Sequence, residues 1–71
     1  MKNIQFEQVL ALKKAVQDAF SVNVHFHDMC SYSAFSLDEP NEKIRAFIED
    51  YFKKQNSRAV FNDSGTDFVI E

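Results

Sequence analysis

Hydrophobic and polar positions alternate along this chain with two different periods, and the changes of period divide it into elements. From Ile4 to Phe20 the apolar residues recur at helical spacing. At about 100° per residue, Val9, Val16 and Phe20 fall on one line, with Leu12 on one flank and Phe6 and Leu10 on the other. The pattern predicts a helix over 4–20 with Asn3 as its N-cap. Lys13 lies near the apolar stripe, where its aliphatic stem can follow the core edge while the ammonium reaches water.

The period then changes to two. In Ser21-Val22-Asn23-Val24-His25-Phe26-His27, Val22, Val24 and Phe26 share one side, and Asn23, His25 and His27 share the other. This is the signature of a half-buried strand. Asp28 to Ser31 is polar, with turn formers at both ends. Tyr32 to Leu37 fits a second short strand with Phe35 and Leu37 inward.

A second helix follows. Ile44, Phe47, Ile48, Tyr51 and Phe52 take the i, i+3, i+4, i+7, i+8 positions of a core-facing stripe. Asp38 is the expected N-cap, with Pro40 in the first turn, where its missing N–H costs little. Glu39 and Glu42 suit the positive helix start, and Lys53 and Lys54 the negative end. Glu49–Lys53 and Asp50–Lys54 are expected i, i+4 pairs. Asn56 can end the helix in a left-handed conformation.

A hairpin completes the chain. Arg58 to Asn62 and Asp67 to Ile70 flank a turn that holds Gly65, the single glycine. If Asn62 faces Asp67, then Phe61 faces Phe68 and Ala59 faces Ile70 on one side, with Val60 and Val69 paired on the other. A slip by one residue would scatter the phenylalanines over both faces.

The expected fold is therefore α+β, a two-layer sandwich in the order α-β-(β)-α-β-β. Two helices lie on one face of a mixed three- or four-stranded sheet, and residues 1–71 form one domain. The sheet is expected to be mixed because a helix that joins two strands of one sheet sets them parallel, so the strand at 22–27 should run parallel to a hairpin strand.

Composition sharpens this. Seventy-one residues allow one small domain, and eight phenylalanines supply much of its core. The net charge is −3, and the lysines stand in two separated pairs, Lys13-Lys14 and Lys53-Lys54. No positive stripe of the kind that binds nucleic acid emerges. The longest apolar run in the first twenty residues, Val9 to Leu12, is too short for a signal core or a membrane span. One free cysteine fits a reducing compartment, so a cytoplasmic location is expected.

The helix–strand–helix–hairpin order from Phe6 to Glu71 resembles the small fold of TusA-like sulfur carriers. Those proteins work through a Cys-Pro-x-Pro motif before their first helix. Here that position reads Met1-Lys2-Asn3, so the resemblance extends to layout and not to sulfur transfer. The strings VHFHDMC and FSLDEPNEKIRAFIEDYFKKQ also resemble short bacterial proteins of unknown function, which implies no activity.

The concentrated chemistry is in Val24-His25-Phe26-His27-Asp28-Met29-Cys30. Residues two apart on a strand lie about 6.5–7 Å apart on one face, so His25 and His27 can flank one ion. Zinc needs further ligands, and strand parity turns Cys30 to the opposite face unless the chain turns at Asp28. No glycine-rich loop offers an oxyanion hole near a Cys30 nucleophile. No catalytic residue, cofactor or enzyme activity is therefore expected, and His25, His27 and Cys30 stand as the alternative, a metal or thiol site. The leading expectation is a binding or regulatory accessory domain for a protein partner or a second copy. Its surface would be the uncovered sheet face, with Asn23, His25, His27, Val60 and Val69 and with Asn62 and Asp67 beside them. Histidines would tune such an interface near neutral pH.

Overall fold

A computed structural model describes residues 4–28 and 32–71. Six elements follow in chain order: α1 (Phe6–Phe20), β1 (Val24–Asp28), β2 (Ser33–Leu37), α2 (Glu42–Lys53), β3 (Ala59–Phe61) and β4 (Asp67–Ile70). The strands form one sheet in the order β1-β2-β4-β3. Both helices pack on one face of it, and Val9, Leu12, Val16, Ile44, Ile48 and Phe52 meet the inward strand residues in one buried cluster. The two-layer α+β sandwich, and the second short strand within it, are as the sequence predicts.

Pairing within the sheet differs from expectation. Every neighbouring pair is antiparallel, so the sheet is not mixed. β1 does run in the same direction as β4, but β2 lies between them. The crossover through α2 likewise joins β2 and β3, which share a direction with β4 between them. Insertion of one antiparallel strand into each parallel relation removes every parallel contact.

The hairpin register is the one the alternation selects: Phe61 faces Phe68, Ala59 faces Ile70 and Val60 faces Val69. It continues to Asn62, whose N–H donates to the Asp67 carbonyl at 2.9 Å. Gly65 supplies the expected left-handed residue in the turn, with φ 73°. On the inner face this register aligns four phenylalanines, one from each strand. Their ring centroids lie 5.3 Å apart for Phe26–Phe35, 5.0 Å for Phe35–Phe68 and 4.7 Å for Phe68–Phe61. The Arg45 guanidinium closes the β3 end of this row, 5.0 Å from the Phe61 ring centre.

Both helix starts shift from expectation. α1 begins at Phe6 behind Gln5, which forms a reciprocal capping box with Gln8. Asn3 lies outside the described residues. The Ile4 N–H donates to Ser33 Oγ at 3.1 Å, and this fixes the start of α1 beside the start of β2. Val9, Leu12 and Val16 are buried, but Phe6 and Leu10, expected beside the core, are 66% and 50% exposed. Lys13 is half-buried, as its place at the stripe edge implies.

α2 begins after Pro40 and not around it. Asn41 is the N-cap, and its side-chain oxygen accepts from the N–H groups of Lys43 at 2.9 Å and Ile44 at 3.2 Å. Asp38 is left outside the helix. Asn41→Ala should therefore cost about 1 kcal/mol and Asp38→Ala less than about 0.5 kcal/mol, a contrast that urea unfolding of the two variants measures. Asp50 pairs with Lys54 at 3.1 Å, as expected, whereas Glu49 turns back to Arg45 at 3.6 Å. Asn56 takes the left-handed conformation, φ 57°.

Candidate functional site: the uncovered sheet face

The sheet face away from the helices is built by parity. Each strand that buries one set of side chains must present the other set outward. The registers arrange the outward set in two rows that cross all four strands. One row is His27, Ala34, Val69 and Val60. Its last three members are half-buried by one another, while His27 is exposed at the β1 edge. The second row is His25, Ser36, Asp67 and Asn62, and it is polar throughout.

Both histidines reach diagonally across the β1–β2 ladder. His25 Nε2 lies 2.8 Å from Asp38 Oδ1, and His27 Nε2 lies 2.9 Å from Ser36 Oγ. Each partner stands two positions past the residue directly opposite. The His25–Asp38 pair is exposed, and such pairs contribute at most about 1 kcal/mol. Its effect is to tie the β1 edge to the segment that leads into α2. At the other end of the second row, Asn62 Oδ1 accepts from the N–H groups of Thr66 and Asp67, both at 3.2 Å, and from Ser64 Oγ at 3.1 Å. This holds the turn rigid beside the face.

The structure thus brings His25, His27, Val60 and Val69 onto one face, as their parity requires. Asn23 is exposed just before β1, in a shallow recess shared with Asp38, Pro40 and Ile44, so it stands at the rim of the face. His25 and His27 share a face but engage different partners. Cys30 lies outside the described residues, and so does the turn that decides its side. Among the described residues no group of three or more His, Cys, Asp or Glu side chains is placed to hold a metal ion.

Sequence reading missed Ala34, Ser36 and Asp38 as members of this site. Their signal was present only in combination: once β1 and β2 are paired as a hairpin, the register places Ser36 opposite His25 and Asp38 on its diagonal. No family model, curated protein or solved structure matches this chain.

Proposed function

We propose that this chain is a cytoplasmic protein-binding accessory domain, and that the uncovered sheet face receives the partner. One observation carries the reading. Both helices pack on one side of the sheet, and the opposite side presents the strip Ala34–Val69–Val60, bordered by His27 and His25. These three apolar side chains are only half-buried by the domain itself and are rimmed by polar groups, an arrangement that a partner can cover. The net charge of −3 supports a protein partner over nucleic acid. Among the described residues no helix is long and apolar enough to cross a membrane.

The test uses Val69, which stands at the centre of the strip. A tagged wild-type chain should retain a protein at fixed stoichiometry from an extract of its own cells. Val69→Glu, shown to be folded by circular dichroism, should lose it at least about tenfold, because a charge buried in an interface is strongly disfavoured. Equal retention by the variant would defeat the reading. Stoichiometric zinc in protein purified without a tag, lost in His25→Ala, would replace it with the metal-site alternative at His25, His27 and Cys30.

A further inference from the structure

We propose that two copies of this chain associate through α1, packed antiparallel about a two-fold axis along the flank that carries Phe6 and Leu10. The uncovered sheet face takes no part in this contact. Among the described residues two large apolar side chains are exposed, Phe6 at 66% and Leu10 at 50%. They lie one helical turn apart, and Lys13 and Gln17 continue their line. The spacing 6, 10, 13, 17 is the alternation of four and three that forms a helix–helix seam.

That flank points away from the rest of the domain. Ala15 lies beside Phe47 and Tyr51 of α2. Phe6 is nine residues from Ala15, two and a half turns, and so projects about 180° from Ala15, while α1 also meets α2 at its far end, where the Phe20 ring centre lies 5.4 Å from that of Phe47. α1 packs on β1, which is the edge strand, so nothing among the described elements lies beyond that flank.

Charge and symmetry favour a second copy of this chain as the occupant. In an antiparallel two-fold pairing, Phe6 meets Gln17 of the second copy, and Leu10 meets the aliphatic stem of its Lys13. The same register sets Glu7 of each copy beside Lys14 of the other. Glu7 and Lys14 are exposed, and neither takes part in an ion pair within the described chain. Two equivalent intermolecular pairs therefore form from groups that have no ion-pair partner among the described residues. An isologous contact makes each pair occur twice. A seam along one helix of fifteen residues, about 22 Å long, is at the small end of protein interfaces. The expected dissociation constant is on the order of 100 μM.

Sedimentation equilibrium from about 10 μM to 1 mM reads the result, with circular dichroism as the control for folding. Wild type should pass from monomer to dimer. Glu7→Lys alone and Lys14→Glu alone should each weaken association at least about tenfold, because each variant sets like charges together twice. The combined Glu7→Lys and Lys14→Glu chain should dimerise like wild type, and an equimolar mixture of the two single variants should form the heterodimer. Leu10→Ser should remain monomeric. A wild-type chain monomeric at 1 mM overturns the proposal, and so does a dimer that ignores both charge reversals. A dimer lost in Val69→Glu but kept in Glu7→Lys assigns association to the sheet face and overturns it equally. If the Val69 face binds a partner but no dimer forms, only this inference falls.

Discussion

Phe68→Ala is expected to cost this domain about 3–5 kcal/mol of stability. Phe68 is 2% exposed and lies on β4, the strand between β2 and β3. Its ring stacks on Phe35 at 5.0 Å on one side and on Phe61 at 4.7 Å on the other. Truncation to alanine leaves a cavity with an aromatic wall on each side, and neither neighbour can fill it without leaving its own strand position. For a chain of 71 residues, a total stability of about 4–11 kcal/mol is ordinary. The loss therefore takes between about a quarter and all of it. The chain has no tryptophan, so far-UV circular dichroism in urea is the practical measurement. Phe26→Ala, at the β1 end of the same row with one tilted ring neighbour and partial exposure, should cost clearly less. Equal midpoints for Phe68→Ala and wild type would refute the view that the row is structural.

Leu12→Ala should cost about 2–5 kcal/mol, while Phe6→Ala on the same helix should change monomer stability by less than about 0.5 kcal/mol. Leu12 is 0% exposed and lies beneath α1 in the common core; Phe6 is 66% exposed. The larger side chain thus matters less to the fold, because burial and not size sets the transfer and cavity terms. Urea midpoints taken at about 5 μM, below the range where association contributes, separate the two cases. A Phe6→Ala loss as large as that of Leu12→Ala would mean that Phe6 belongs to the core of the single domain.

That pair of residues also shows what the sequence carried. Helical spacing gave the centre of the α1 stripe correctly. It placed Leu12 on one flank and Phe6 and Leu10 on the other, with nothing to say which flank would meet a neighbour. The fold buries the Leu12 flank and leaves the other one exposed. The strand faces were more legible. Period two assigned Val24, Phe35, Leu37, Ala59, Phe68 and Ile70 inward and His25, His27, Val60 and Val69 outward, because a one-residue slip would reverse a whole strand. Strand neighbours were not legible, since parity is the same whichever strand lies alongside. The expected parallel relation failed on this point. Asp38 and Asn41 are both good caps by residue type. Asn41 caps α2 because the chain enters the helix after Pro40, a residue that disfavours helical geometry in the one before it. Asp38 is engaged with His25. The histidine partners were invisible for the same reason as the strand order: each depends on the β1–β2 pairing.

The place of β4 has a consequence for how the protein is made. β1 and β2 are joined locally, as are β3 and β4, but the two halves of the sheet meet only through β2 and β4. A nascent chain emerging through Phe61 has both helices and three strands, yet it lacks Phe68 and Ile70, the residues that carry the core from one half to the other. The β2 edge that pairs with β4 stays open until residues 67–70 leave the ribosome. Sheet closure is therefore a non-local step that waits for β4, and a chain that has reached only Phe61 keeps an unpaired β2 edge open to misassociation.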